Sequence, residues 1–424
     1  MTKIHSLPYP NQIVTIIKRL YDKGMTTTSG GNISLITPEG DIWITPSGVD
    51  KGSLKPEDII CIKANGTMEG KYSPSMETPF HTLIYKVRPD IKAVVHAHSP
   101  GLVSFSVVRQ IPNTSISPGL FNICGKVGYA KYGVPGTAEL GVNISNEFKK
   151  GFNAVIMENH GAVAAGANIT EAFNRFETLE SLSQTIINTK SIGEAHFLEL
   201  DRITKTSDGT LTKNKGIKTI GKTDEEIENS NKIIEIAYRA DRQKVMNGGF
   251  NTISVRSENN HFLTTPENIP LWQLQTNDIL LVTDDAVLSA DALLHQEIYR
   301  KNKHINSIIT TQSSNTMAFA TARVKLNVRT IPESWILLQN IPNVGFCELE
   351  ADRLRVADTF VTGTSSVILE NDTIIITGNE LLQTFDRLEV AEFSAKSIIQ
   401  GSALGKLEPI NNEQVNDLKE KFLS

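Results

Sequence analysis

The chain has 424 residues, of which 39% are hydrophobic and 21% charged, and a formal net charge of −5. That length suits two or more domains with sizeable cores, and the composition is that of a soluble globular protein. The negative balance argues against a general nucleic-acid surface while leaving room for a local anion pocket. Cys61, Cys124 and Cys347 form no Cys-x-x-Cys pair, which suits a reducing compartment. Met1 to Pro10 lacks an apolar signal-peptide core, and no run of about 18 apolar residues occurs. The expectation is a cytoplasmic protein with no nucleic-acid or membrane partner.

In chain order, Ile13 to Lys23 places apolar residues at helical spacing and Gly24 stands as its C-cap. Thr28-Ser29-Gly30-Gly31-Asn32 follows, either as a tight turn or as a place where backbone amides and the Asn32 side chain approach a ligand. Ile33 to Thr37 and Asp41 to Thr45 read as a hairpin turning at Glu39-Gly40. It runs into Pro46-Ser47-Gly48, whose N–H and hydroxyl donors are of the kind that cradle phosphate. Asp58 to Lys63 is a further strand. Thr78 is the expected N-cap of a helix over Phe80 to Lys86, with Pro79 at its first position. Glu77 beside that start would cap, take part in chemistry or simply be solvated.

Ile91 to His96 reads as an apolar strand that continues to His98. Two histidines two residues apart project from one strand face, about 7 Å apart at Cα, close enough to converge on one cation. A structural role is the commoner use of such a pair. Ala154 to Met157 is another apolar strand, ending at His160. The small-residue segment Gly161 to Gly166 and a helix over Ile169 to Ile187 follow. Alternating strands and helices suggest a mixed α/β sheet rather than a sandwich or bundle. Three histidines at two strand ends, with a glutamate near, form a candidate catalytic zinc set, with manganese, iron or cobalt as alternatives.

Gly30-Gly31-Asn32-Ile33-Ser34, Thr45-Pro46-Ser47-Gly48, Pro74-Ser75-Met76-Glu77, Arg88-Pro89-Asp90 to His98, and Glu158-Asn159-His160-Gly161 together resemble the class II aldolase/adducin-type family, which includes L-fuculose-phosphate aldolase. The resemblance covers about residues 7 to 200. It implies a three-layer α/β (mixed α+β) domain with a central, largely antiparallel sheet. It implies that His96, His98 and His160 bind a divalent metal, Zn2+ first. Glu77 would approach the fourth position and act as acid/base at carbon, and Asn32, Ser47, Gly48 and Ser75 would bind the substrate's phosphate. Two departures stand out. Ser75-Met76 replaces two serines, removing one hydroxyl donor, and Ile111 to Ile123 lacks the tyrosine that serves the fuculose-phosphate enzyme as an acid. Tyr129 and Tyr132 lie nearby, but Tyr132 matches a structural family position better. Glu77 stands where the related 4-epimerase has aspartate, which favours aldolase.

The second half repeats the first. Ile233 to Gln243 corresponds to the first helix, and Ser34, Pro46 and Asp58 pair with Ser254, Pro266 and Asp278 at an offset of 220. Tyr85 pairs with Tyr299 at 214, and Phe173 with Phe385 at 212. Two tandem domains are therefore expected: residues 1–203, a polar linker over 204–230, and a degenerate copy over 231–424. In the copy, Thr310, Gln312 and Asp372 stand where His96, His98 and His160 stand, a poor set for a borderline-soft cation. Asp291 replaces Glu77, and Glu267 brings a carboxylate into the phosphate turn. His81 and His295 correspond and are expected to be structural.

The functional expectation is a metal-dependent aldolase, a lyase cleaving a sugar phosphate through a metal-stabilised enediolate. A 4-epimerase, a sugar-acid-phosphate decarboxylase and an adducin-like scaffold are the alternatives. The expected partners are a small-molecule sugar phosphate and a second copy of the chain, since a duplicated chain could build as a dimer the fourfold ring of such relatives.

Overall fold

The computed structural model describes residues 3–423 except 208–221, 250, 259–260, 268, 284–285, 287 and 361–362. The chain separates into two compact units, one of Met1–Thr114 and Leu120–Ser183, the other of Ser115–Gly119 and Gln184–Ser424.

In the first unit, helix α1 (Tyr9–Asp22) forms because Ile13, Ile16, Ile17 and Leu20 make one fully buried stripe. Gly24 ends it at φ +68°. Strands β1 (Asn32–Ile36), β2 (Ile42–Ile44), β3 (Ile60–Ile62) and β4 (Met68–Glu69) follow. After α2 (Thr78–Val87) come β5 (Ala93–Ala97), α3 (Pro100–Val107), α4 (Pro118–Cys124) and β6 (Gly128–Ala130). Helix α5 (Ala138–Lys149), β7 (Ala154–Met157), β8 (Gly161–Gly166) and α6 (Ile169–Thr189) complete the series.

The eight strands form one sheet in the order β4-β3-β2-β1-β5-β8-β7-β6. Every pairing is antiparallel except β6 with β7. Phe80 and Ile84 of α2 and Ile144 and Phe148 of α5 pack on Val94, Val155 and Val163 to make the core on one face. Gly161 to Gly166, taken from sequence as a small-residue segment, is a fully buried central strand. Its alanines and glycines permit the close packing that bulkier strands would prevent. The capping expected of Thr78 is not what forms. Its hydroxyl donates to the Ser75 carbonyl at 2.6 Å, while Ser75 Oγ accepts the Glu77 N–H at 3.3 Å.

The second unit repeats the plan. Helices α7 (Leu200–Ser207) and α8 (Asp224–Arg242) precede β9 (Thr252–Arg256), β10 (Phe262–Thr264) and β11 (Leu280–Val282). Then come α9 (Ala290–Lys301), β12 (Ser307–Thr311), α10 (Ser314–Ala322), α11 (Pro332–Leu338), β13 (Asn343–Val344), α12 (Phe346–Asp352) and α13 (Val356–Thr359). Strands β14 (Ser366–Leu369) and β15 (Ile374–Gly378) and helices α14 (Leu381–Ser402) and α15 (Asn412–Phe422) end the chain. Its sheet runs β11-β10-β9-β12-β15-β14-β13, with β13 and β14 the parallel pair. Helix α8 starts earlier than the expected Ile233, because Thr223 and Glu226 cap each other reciprocally and the acidic run fills the first turn. The middle of the polar segment, 208–221, lies outside the described residues.

The repeat extends to backbone irregularities. Arg109 and Arg323 both adopt left-handed φ, at 56° and 54°, as do Asn159 and Asn371 at 51° and 55°. Ser34 bonds His81 and Tyr85 at 2.7 Å each, and Ser254 bonds His295 and Tyr299 at 2.8 Å each. His81 and His295 are fully buried, and burial holds their pKa values down to about 3 and about 4. Both are buried hydrogen-bonding groups.

Candidate metal centre

His96 lies in the central strand β5 and His98 one residue past its end, with Asn32 of β1 opposite His96 on one side and Val163 of β8 on the other. The β7–β8 turn carries His160 back towards them. Its left-handed Asn159 makes the bend, and Ser106 Oγ accepts the His160 N–H at 2.9 Å while donating to Met157 O at 2.8 Å. The three imidazoles offer ligand nitrogens all within 4.8 Å of one another. His96 Nε2 is 3.0 Å from His98 Nε2, and His96 Nδ1 is 2.9 Å from the Ala162 carbonyl. That carbonyl accepts a hydrogen bond from Nδ1–H, which leaves Nε2 facing the cluster.

Two glycines make this approach possible. A Cβ on Gly31, at φ +71°, would lie 2.8 Å from the His96 carbonyl oxygen. One on Gly161 would lie 2.7 Å from the Ala97 carbonyl and 2.9 Å from the His98 ring. Glu180, which the sequence reading passed over, fixes the chain just beyond His98. Its buried carboxylate accepts from Ser99 Oγ at 2.7 Å and from the Gly101 and Leu102 N–H groups at 2.9 Å, capping α3. A glutamate on a distant helix carries no local capping signature, so only the fold reveals it.

Glu77 completes the cluster. Its Oε2 is 3.2 Å from His96 Nε2 and accepts from Asn32 Nδ2 at 2.7 Å. Its Oε1 lies 3.4 Å from His160 Nε2, yet accepts no hydrogen bond among the described residues. Burial opposes the charge on Glu77, but His96, His160 and the Asn32 amide prevail and hold its pKa well below the usual carboxylate range. Burial and repulsion from His96 lower His98 to about 3 and His160 to about 4, so both rings are neutral, the form that ligates a metal. Burial also works against charge on His96, but the neighbouring Glu77 carboxylate raises its pKa. Three imidazoles beside a buried carboxylate oxygen that lacks a hydrogen-bond donor fit a divalent cation.

The residues expected to hold phosphate are placed as follows. Asn32 is committed at both ends: its amide nitrogen holds Glu77, and its oxygen bonds His81 Nε2 at 2.5 Å. It orients the carboxylate with one N–H and has a second, while Ser47, Gly48 and Ser75 lie on the neighbouring turns. Those three come together because Ser47 N–H donates to Ser73 O at 3.0 Å and Ser75 N–H to Thr45 O at 3.1 Å, with a bridge between Pro46 and Pro74. Gly48 is exposed at φ +68°, with open space around it. Met76, in place of the second serine, points outwards at 70% exposure. Tyr132 is exposed too.

The second unit fills the corresponding place with its own side chains. Arg353 donates through Nη2 to Asp291 Oδ1 at 2.8 Å and through Nη1 to Asp372. Those carboxylates stand where Glu77 and His160 stand, so a guanidinium lies between them where the first unit has its histidine cluster. His295 bonds Thr310 at 2.8 Å, and Gln312 donates to the Asp372 carbonyl at 2.9 Å. Burial raises the pKa of Glu267, with Ser289, the counterpart of Ser75, as a polar neighbour.

The family model described as Class II Aldolase and Adducin N-terminal domain matches residues 11–187 and again residues 231–399. The chain belongs to the class II aldolase and adducin family. It carries two class II aldolase-like domains in a mixed α/β fold. A 5-deoxy-D-ribulose 1-phosphate aldolase of Bacillus thuringiensis serovar kurstaki is 35% identical over 205 residues, 47% of this chain and 94% of that protein. An L-fuculose phosphate aldolase of Methanococcus maripaludis is 35% identical over 175 residues, 41% of this chain and 93% of that protein. A 3-oxo-tetronate 4-phosphate decarboxylase of Escherichia coli is 30% identical over 179 residues, 41% of this chain and 84% of that protein. Class II aldolases are generally metal-dependent, in keeping with the histidine cluster. No helix among the described residues is long and apolar enough to cross a membrane.

Proposed function

We propose that this class II aldolase homologue is a metal-dependent lyase acting on a sugar phosphate, with residues 1–203 catalytic, 204–230 connecting and 231–424 a degenerate copy. The observation that carries this reading is the convergence of His96, His98 and His160 beside the buried Glu77, whose Oε1 accepts no hydrogen bond among the described residues. His96, His98 and His160 would hold the cation, Zn2+ by the chemistry of the donor set. When bound, it supplies Lewis acidity to substrate oxygens that gain negative charge as the bond breaks.

The chain's own residues do the rest. Retro-aldol cleavage breaks one C–C bond, the hydroxyl of the departing aldehyde gives up its proton, and the carbon left with the electron pair takes one. Glu77, oriented by Asn32, is the group that moves the carbon-bound proton. Ser47, Gly48 and Ser75 bind the phosphate and so fix which end of the sugar reaches Glu77.

The test is a panel of ketose phosphates and sugar-acid phosphates with zinc or manganese. An aldehyde and a phosphorylated carbonyl fragment are expected from a ketose 1-phosphate. Release of carbon dioxide from an oxo-acid phosphate instead would establish the decarboxylase reading, which the 30% identical E. coli relative keeps in view. We further propose that two chains form a four-domain ring in the cytoplasm and that the partner chain supplies the acid that Ile111 to Ile123 lacks. A stable monomer in sedimentation would count against that ring.

A further inference from the structure

Lys51 is a buried lysine in the turn that follows Ser47-Gly48, 3% exposed. Its N–H donates to the Thr28 carbonyl at 2.9 Å, which ties the turn to the segment leading into Gly30-Gly31-Asn32. Its Nζ donates to the carbonyl of Pro46, the residue before Ser47, at 2.6 Å. An ammonium has three donors; among the described residues the Pro46 carbonyl is the hydrogen-bond partner of this one, and no neighbouring charge acts on it. Burial alone accounts for a pKa lowered to about 8. A buried cation without an anion is costly, and a fold has no reason to keep one unless something else recovers the cost.

The second unit shows what the fold itself requires. Strand β10 matches β2 at an offset of 220, and so does the next turn. Asp58 there accepts the Lys55 N–H at 3.0 Å, as Asp278 accepts the Gln275 N–H at 3.0 Å. With both flanks in one register, Lys51 corresponds to Leu271. Leu271 is 7% exposed and sits in the apolar core of its unit. The same position is therefore served by a leucine where the phosphate turn has acquired Glu267 in place of Ser47. One turn has a lysine and a hydroxyl; the other has a leucine and a carboxylate.

We propose that Lys51 is the cation of an anion subsite formed with Ser47, Gly48 and Ser75, and that it selects phosphorylated ligands in the first unit. This deepens the sugar-phosphate reading and rests on it. Its charge offsets the hydroxyl donor lost at Met76, and its unused donors are available to a phosphate oxygen seated on the Ser47-Gly48 turn.

The test is calorimetric titration of inorganic phosphate into the full metal-loaded chain and into its Lys51→Leu and Lys51→Met variants. Phosphate affinity is expected to fall about 10- to 100-fold in both. Metal content should stay unchanged, and the melting temperature should stay level or rise because Leu271 shows that an apolar side chain suits the position. Lys51→Arg should recover part of the affinity. Equal phosphate affinity in wild type and the variants would overturn the assignment of Lys51 alone. No phosphate affinity in the metal-loaded wild type would overturn the phosphate reading and Lys51 with it. A lowered melting temperature with unchanged phosphate affinity would mark Lys51 as a merely structural tie.

Discussion

Glu77 has two jobs to reconcile: it must stay buried and charged, and it must stay free to exchange a proton. Asn32 resolves the first by donating to Oε2, while its oxygen is held by His81, which Ser34 holds in turn. Oε1 is left without a donor among the described residues. Glu77→Gln is therefore expected to keep metal and fold while lowering turnover at least about 100-fold, measured by steady-state kinetics beside metal analysis. His98→Ala should lose the metal with little change in far-UV circular dichroism, since His98 is half-buried at the end of β5 rather than in its core. A His98→Ala protein that still holds a full equivalent of zinc would sink the three-histidine site. The three histidines were legible from spacing and family likeness. The commitment of Asn32 to Glu77 was not, because a side-chain amide can serve a ligand or a neighbour and only the register of β1 against β5 decides which.

At the level of elements, the site depends on strands approaching more closely than side chains allow. Gly31 lies against the backbone of His96 at positive φ, so Gly31→Ala meets both a steric and a conformational obstacle. It should destabilise the chain by about 1–3 kcal/mol in denaturant unfolding and weaken metal binding in parallel. The sequence motif Gly30-Gly31-Asn32 admitted either a turn or a ligand loop. The structure makes it the spacer beneath the histidine strand. Gly161 to Gly166 shows a related limit: a run of small residues carries no hydrophobic periodicity, and its identity as a central strand comes from its partners β5 and β7.

Across the whole molecule, the two units share one plan and differ in what fills the corresponding place. One metal per chain is expected, removed entirely by His98→Ala, because the second unit holds Arg353 between Asp291 and Asp372. Arg353→Leu would leave two carboxylates facing each other without a cation. With the guanidinium partly exposed, the expected loss is about 2–3 kcal/mol, read from chemical denaturation. Adding Asp291→Asn and Asp372→Asn should restore most of it. If the triple variant is no more stable than Arg353→Leu alone, the guanidinium is not serving as a resident counter-charge.

The sequence by itself determined the duplication, the alternation of strands and helices, and the histidine set. Those follow from periodicity, a nearly constant offset between the halves and the chemistry of imidazole. It also placed Thr310, Gln312 and Asp372 at the positions of His96, His98 and His160. It could not show what took their place, because Arg353 lies 62 residues beyond Asp291 in the chain and reads as an ordinary charged residue. Nor could it show that Lys51 is buried, since a lysine between Asp50 and Gly52 reads as a solvated turn. Burial and charge pairing are properties of what surrounds a residue in space, and that was decided only when the sheet brought distant segments together.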